Sequence, residues 1–180
     1  MPEPDVIDTA RLKLEPTTPE HATGLWDAVE ASLPELRRYM SWAQDASAEH
    51  VEAFTREAKL RWVEGTGWDF VLVHDGVPAG TIGLNRYDEL WRAANLGYWI
   101  RTDLAGQGLV TEAARAVVAF GFDVVELNRI ELVTDLDNHP SRRIAEKLGM
   151  QREGIKRGGS FVAGESVDVY LYGLLASDPR

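Results

Sequence analysis

Residues 97–113 constrain the fold more than any other stretch of the chain. Gly97-Tyr98-Trp99-Ile100 has the apolar composition of a strand, and a short glycine loop, Gly106-Gln107-Gly108, follows it closely. Thr111-Glu112-Ala113 then begins an amphipathic helical pattern. Such a loop presents backbone N–H groups to an anion, and the helix N-terminus adds a partial positive charge. The stretch therefore predicts a strand, a phosphate-binding loop and a helix in succession.

Two common nucleotide sites do not fit this loop. A P-loop requires a lysine after its last glycine, but Leu109 follows Gly108 and no lysine lies near. A dinucleotide-binding loop requires a third glycine, where this chain has Thr111. A Gly-x-Gly pair also fits a strand-to-helix turn that binds nothing. From the loop alone, both a phosphate site and a plain turn stay open.

Composition limits the class of protein. The 180 residues are 44% hydrophobic and 27% charged, values typical of globular proteins, and we expect one domain over residues 1–180. A membrane-spanning helix needs roughly 18 to 20 consecutive apolar residues, and the sequence has no such run. The acidic, proline-rich residues 1–5 do not resemble a signal peptide. A cytoplasmic location without membrane contact is therefore expected.

Charge and cysteine content exclude further classes. The net charge is −10, which argues against general nucleic-acid binding. The absence of cysteine excludes disulfides, thiolate metal ligands and a cysteine nucleophile. No metal cofactor is expected.

Local patterns predict a mixed α/β fold. Apolar alternation and turn residues predict strands at 11–16, 69–74, 78–84, 94–101, 129–134, 150–156 and 167–175. Capping residues and helical periodicity predict helices at 19–31, 34–39, 46–62, 111–125 and 140–148. Turns are expected at Asp75-Gly76 and Ala163-Gly164-Glu165, and residues 87–92 are expected to be a polar connection. The expected architecture is a mixed, mostly antiparallel central sheet with helices on both faces.

Several motifs occur in one order around the glycine loop. After the strand, the loop and Thr111-Glu112-Ala113 come Asn128-Arg129-Ile130-Glu131, then Asn138-x-x-Ser141 closing on Glu146-Lys147-Leu148-Gly149-Met150. This pattern resembles the GNAT superfamily of acyl-CoA N-acyltransferases, and within it the RimJ/RimL-type branch. The resemblance covers nearly the whole chain and is looser in the first third. The loop departs from the family pattern at Ala105 and Val110.

The resemblance implies how acetyl-CoA would bind. The two central strands would splay, and the pantetheine arm would pair with the exposed backbone between them. Asn138 would bind a pantetheine amide, and Ser141 would lie near the CoA sulfur. The implied cofactor-binding residues are Tyr98, Trp99, Ile100, Gly106, Gln107, Gly108, Leu109, Val110, Thr111, Asn138 and Ser141.

The implied reaction is direct transfer of the acetyl group to a primary amine, either a peptide N-terminus or a small aminoacyl compound. Ser141 is the expected catalytic residue, as a proton or hydrogen-bond donor to the leaving sulfur. Helix capping near Asn138 is the alternative role for this serine. A homodimer is implied by the resemblance only.

The acceptor side is less well defined by the sequence. Trp42, Tyr87 and Trp91 are candidates for the acceptor pocket, because aromatic walls hold amines well.

The general base is also undefined. Ser160 stands where some RimL-type proteins have a glutamate, and serine is not a base at neutral pH. The remaining candidates are Asp88 or Glu89 acting through a water, His74, His139, or no residue at all. The missing glutamate supports a second hypothesis, a non-catalytic acyl-CoA-binding or regulatory module with the same fold.

Overall fold

The computed structural model describes residues 5–179, so residues 1–4 of the acidic start lie outside it. All eight strands belong to one sheet in the order β1-β2-β3-β4-β5-β6-β8-β7, antiparallel except for the pair β5–β6. The strands are β1 Ile7–Asp8, β2 Lys13–Pro16, β3 Trp68–His74, β4 Val77–Asp88, β5 Ala93–Ile100, β6 Arg129–Asp135, β7 Gln151–Val162 and β8 Glu165–Leu175.

Five α-helices connect these strands. They are α1 Ala22–Glu30, α2 Leu33–Leu36, α3 Ala48–Glu64, α4 Leu109–Asp123 and α5 His139–Lys147. The Ser47 hydroxyl begins α3 by accepting the His50 N–H, and Gly65 ends it in the left-handed conformation at φ 70°. The helices expected from the sequence are present, with end shifts of a few residues.

The strand expected at 150–156 is longer in the structure, where it continues as β7 to Val162. Two other expected boundaries also differ from the structure. The helix expected at 19–31 begins with a separate 3₁₀ turn, Pro19–His21, before α1. The polar connection expected at 87–92 is shorter because β4 continues through Asp88 across an irregular register. In both places polar residues adopt regular structure because neighbouring backbone groups pair with them.

The sheet is covered on both faces because successive apolar side chains of its central strands point to opposite faces. In β3, the fully buried Phe70 and Leu72 belong to one apolar cluster, which includes Val117 of α4. The intervening Val71 belongs to a second cluster with Leu25 of α1. This confirms the predicted mixed α/β sheet with helices on both faces.

The central strands separate after a short contact. Strand β5 pairs with β6 only over Ala93–Asn95, which lie opposite Arg129–Glu131. Beyond this point β5 stays paired with β4 to Ile100, whereas β6 stays paired with β8 to Asp135. The predicted splay is therefore present, and it opens a cleft between the two strands.

The aromatic contact beneath the sheet gives a stability test. Phe70 is fully buried, with its ring edge-on to Trp62 and Phe120 at centroid distances of 5.0 and 5.4 Å. Phe70→Ala should lower the free energy of unfolding by about 3–5 kcal/mol, because a cavity replaces these contacts. Denaturant unfolding measures the loss. The exposed control Leu60→Ala should change stability by less than about 0.5 kcal/mol, and equal losses in both variants would contradict this account.

Candidate active site

A cavity of about 780 Å³ lies on the splayed strands. The end of β5 forms part of one wall through Gly97, Tyr98 and Trp99, and the end of β6 contributes Thr134 and Asp135. Residues of the segment before α3, and the first turns of α3 itself, cover it from one side of the sheet. The cavity is large enough for a small acceptor molecule or a peptide end.

Ser141 lies in this cavity in a defined position. The Asn138 side chain begins α5 because its Oδ1 accepts the Ser141 N–H at 3.1 Å. This cap holds the nearly buried Ser141 in the first turn of the helix, with its Oγ 2.8 Å from the Tyr98 hydroxyl oxygen. The helix cap is therefore made by Asn138 and the Ser141 backbone, which leaves the Ser141 hydroxyl available for another role.

Tyr98 remains protonated over a wide pH range. Burial raises the pKa of its hydroxyl to about 12, although the hydrogen bond with Ser141 opposes the shift. The hydroxyl is therefore neutral at physiological pH and can donate to the Ser141 oxygen. Such a donation would leave the Ser141 proton free to point toward a third atom.

The cleft-facing edge of β5 offers backbone groups. The Arg101 N–H donates to the Ala79 carbonyl at 2.7 Å, which turns the N–H groups of alternate residues toward β4. Those of Tyr98 and Ile100 therefore point toward β6. Within residues 5–179, the β5–β6 ladder ends at Asn95, so these groups face the cleft.

The glycine loop lies at the N-terminus of α4, as the sequence predicts. Gly106 and Gly108 adopt φ values of 78° and 82°, which are costly for residues with a side chain. A Cβ placed on Gly106 would point into open space, and the whole loop is exposed. The N–H groups in the first turn of a helix lack intrahelical partners, so this loop can bind a phosphate.

Arg11 supports this loop, and the sequence analysis missed that role. Its guanidinium donates to the Gln107 carbonyl at 3.0 Å and to the Glu112 carboxylate at 2.8 Å. Thr9 also donates to Glu112, at 2.7 Å. These contacts neutralise a carboxylate that would otherwise repel an anion at the helix N-terminus. No sequence signal identifies them, because about a hundred residues separate the partners.

The three predicted pocket aromatics are not brought together. Trp42 lines the cavity, 43% exposed, with its ring 6.0 Å from that of Trp99. Tyr87 instead packs edge-on against Trp68 at 5.3 Å. Trp91 is 69% exposed in the turn between β4 and β5, where its N–H binds Asp88. Only Trp42 of the three is therefore among the residues that line the cavity.

The candidate bases also lie elsewhere. Asp88, Glu89, His74 and His139 are all absent from the cavity lining, whereas Ser160 is part of it. His139 lies on the outside of α5, 3.2 Å from Arg142, and His74 lies beside the hairpin at Asp75.

Other ionisable residues line the cavity instead. They are Asp45, His50, Asp69, Arg86 and Asp135, apart from the tyrosines. Burial and the nearby Asp137 raise the pKa of Asp135. No local pattern marks these residues as functional, since each lies in an otherwise ordinary strand, helix or loop.

The described part of the chain holds neither a metal-binding cluster nor a membrane-spanning helix. Within residues 5–179, no group of three or more His, Cys, Asp or Glu side chains is arranged to hold a metal ion. None of the helices described there is long and apolar enough to span a membrane.

Comparison with known proteins decides the family. Residues 11–151 match the acetyltransferase (GNAT) domain family over most of the chain. The chain belongs to this family. The predicted acetyltransferase identity is thereby confirmed, and no finding supports the non-catalytic alternative.

Relatives of this GNAT protein match most of its length. YdaF of Bacillus subtilis is 29% identical over 159 residues, covering 87% of each chain. The ribosomal-protein-serine acetyltransferase of Escherichia coli is 25% identical and covers 89% of this chain and 90% of its own. The solved structure of RimL, a ribosomal L7/L12 alpha-N-protein acetyltransferase in complex with coenzyme A, has the same fold. Its TM-score is 0.91 at 21% identity, with 97% of this chain and 100% of that chain covered.

The raised pKa of Tyr98 predicts how stability changes at alkaline pH. Between about pH 10 and 12 the unfolded chain releases the Tyr98 proton while the folded chain retains it, so the folded state loses stability as pH rises. The full loss is about 3 kcal/mol, from a shift of about two pKa units. Tyr98→Phe removes this contribution, so its unfolding free energy should fall less steeply with pH. Urea unfolding at several alkaline pH values gives the slope of the unfolding free energy against pH for the wild-type protein and for Tyr98→Phe. Equal slopes would contradict the raised pKa of Tyr98.

Proposed function

We propose that this GNAT enzyme transfers an acetyl group from acetyl-CoA directly to a primary amine, either a peptide N-terminal α-amine or a small aminoacyl compound. The observation that carries the proposal is the 2.8 Å contact between Ser141 and Tyr98 in the cavity at the splayed strands. The relative that is named for acetylating ribosomal-protein serine supports a peptide acceptor.

The residues present fit an acyl-CoA co-substrate. The exposed glycine loop and the start of α4 suit a pyrophosphate, with contacts from the backbone of Gly106 to Thr111. The cleft-facing N–H groups of Tyr98 and Ile100 suit the amide-containing arm, since they can pair with it as a strand would. The Asn138 amide nitrogen adds a donor beside the same cleft. Acetyl-CoA supplies the activated acetyl thioester.

The protein's own chemical contribution is orientation and hydrogen bonding. Holding two reactants in line contributes up to roughly 7–11 kcal/mol to a reaction of this type. The Ser141 hydroxyl acts as the donor to the leaving sulfur, and Tyr98 holds that hydroxyl in position. Peptide α-amines have a pKa near 8, so about a tenth of the acceptor is unprotonated at neutral pH. With a peptide α-amine as acceptor, the reaction therefore does not require a strong side-chain base.

Location and assembly belong to the same proposal. An enzyme that uses acetyl-CoA works where that compound is made available, which favours the cytoplasm. A homodimer is supported by β7, an edge strand on which Ile155 and Phe161 are 54% and 62% exposed. Exposed edges with apolar side chains tend to pair with another chain.

The direct test is release of CoA thiol from acetyl-CoA in the presence of a panel of amines and peptides. The proposal expects thiol release that depends on the acceptor, with mass spectrometry showing one added acetyl group on the amine. Tight acetyl-CoA binding without turnover on any acceptor would contradict it.

Ser141→Ala tests the catalytic residue. The helix cap uses the Ser141 backbone rather than its hydroxyl, so the fold should remain intact. Turnover should fall about a hundredfold, the usual scale for a lost proton-transfer group, while the acetyl-CoA dissociation constant stays within about twofold. Ser160→Ala is the matched control, because Ser160 lines the same cavity. Equal turnover of the two variants would contradict the role of Ser141.

Arg11→Ala tests the support of the glycine loop. Charge-assisted hydrogen bonds contribute about 1.5–3 kcal/mol, so their loss should raise the acetyl-CoA dissociation constant about tenfold or more. Turnover at saturating acetyl-CoA should change by less than about twofold. The control Arg56→Ala removes an exposed arginine that pairs with Glu52 at 3.4 Å, four residues away on α3. Calorimetric titration with acetyl-CoA measures the dissociation constants of the Arg11 and Arg56 variants. An unchanged affinity in the Arg11 variant would contradict the role of Arg11.

A further inference from the structure

Asp69 is a buried carboxylate that lines the cavity and has no part in the proposed chemistry. It lies on β3, two strands away from the cleft, and its side chain is 8% exposed. Its Oδ2 accepts from Arg61 at 2.8 Å. Asp69 therefore brings a negative charge into the acceptor side of the cavity.

A pair of glycines makes room for this carboxylate. Asp69 lies opposite Gly83, and Gly83 lies opposite Gly97 in the next strand. A Cβ on Gly83 would be 2.5 Å from the Asp69 Oδ1, so that oxygen lies directly over the glycine. Neither glycine has a side chain. The strip of sheet from Asp69 to the β5 wall of the cleft, called the trough below, is bordered at Gly97 by the Asn85 amide.

Arg61 alone does not compensate the burial of Asp69. The carboxylate has lost most of its hydration, and burial raises its pKa even though the Arg61 hydrogen bond and charge oppose the shift. A carboxylate has about four acceptor positions, and Arg61 is bonded to one of its two oxygens. A second cationic partner arriving through the cavity would stabilise the ionised form.

The charges of the cavity favour a cation. Its lining contains the carboxylates Asp45, Asp69 and Asp135 but only one arginine, Arg86. Including Arg61 behind Asp69, the acids still outnumber the arginines by three to two. A cationic molecule is therefore attracted to this cavity.

We propose that Asp69 recognises a second cationic nitrogen on the acceptor, in addition to the amine that is acetylated. Neighbouring strands are about 4.8 Å apart, so a carboxylate over β4 lies within roughly 5–10 Å of the cleft beside β5. The acceptor class is then a diamine, or a peptide N-terminus followed by a basic residue. This inference rests on the proposed function and names the substrate class of the same site.

Matched acceptors test the inference in the wild-type protein. Putrescine and n-butylamine share a four-carbon chain but differ in the second amine, and Ser-Lys-Ala and Ser-Met-Ala differ in the second residue. The dicationic member of each pair should have the higher kcat/KM, by about tenfold for one charge-assisted contact. The pair with the larger ratio distinguishes a diamine from a peptide. Equal kcat/KM values within both pairs would overturn the inference.

Asp69→Asn tests the residue itself. The amide keeps a hydrogen bond to Arg61 but loses the charge, so the ratio within each pair should fall to less than about twofold. The acetyl-CoA dissociation constant should not change. Glu57→Gln is the matched control, since it removes an exposed carboxylate 3.7 Å from the same arginine but outside the cavity lining. A ratio that stays near tenfold in folded Asp69→Asn would overturn the inference, as would a loss of equal size in Glu57→Gln.

A second variant covers the case in which Asp69→Asn does not fold. Gly97→Ala places a Cβ 2.9 Å from the amide nitrogen of Asn85, whose Oδ1 accepts from Asn95 at 3.1 Å, so this amide has to shift slightly. It narrows the trough and leaves the Asp69–Arg61 pair intact, so it should also reduce the ratio. An unchanged ratio in folded Gly97→Ala would count against the trough.

Calorimetry separates this inference from the proposed function. Putrescine should bind the wild-type protein more tightly than Asp69→Asn, whether or not an acetyl group is transferred. Such binding without thiol release would support the inference and contradict the proposed transferase reaction. Thiol release with equal putrescine affinity in the wild-type protein and Asp69→Asn would support the transferase reaction and contradict the inference about Asp69.

Discussion

The short parallel contact between β5 and β6 determines the rest of the site. Only Ala93–Asn95 pair with Arg129–Glu131, and each strand then follows its other neighbour. A backbone edge in a sheet interior would be costly if it stayed buried without a partner. The divergence leaves such an edge next to a cavity, where a peptide-like ligand can satisfy it. Ser141, Tyr98 and the glycine loop are all arranged around this opening.

Much of the fold follows from local patterns in the chain. The continuous apolar run Phe70–Val73 before the Asp75-Gly76 turn was enough to predict a strand, and its alternate side chains enter two different apolar clusters. Asn138 and Ser141 are three residues apart, the spacing between a helix N-cap and the third helical N–H that its side chain accepts from, so a helix start was predictable there. The continuation of β4 through Asp88 was not predictable, because the polar residues there give no apolar alternation.

The candidate site was predictable only where its parts are close in sequence or resemble a known family. Arg11 and Glu112 meet because the turn between β1 and β2 lies against the first turn of α4, and no local pattern encodes that meeting. Asp69 lies in an apolar strand, where its neighbours predict only burial. Conversely, Tyr87 and Trp91 are aromatic like pocket residues, but Tyr87 packs on Trp68 and Trp91 lies in the turn after β4, so neither lines the cavity. Long-range packing decides these cases, and the sequence shows it only indirectly.

The raised pKa of Tyr98 has a consequence for the pH dependence of the reaction rate. Its hydroxyl holds its proton up to about pH 12, and serine does not ionise in the working range. The hydrogen-bonded pair therefore contributes no ionisation of its own to the pH dependence of the rate near neutrality. The rise of the rate with pH then follows the amine that is being acetylated. The pH–rate profile measured with each acceptor would then show the pKa of that acceptor's amine, so acceptors can be compared by their profiles.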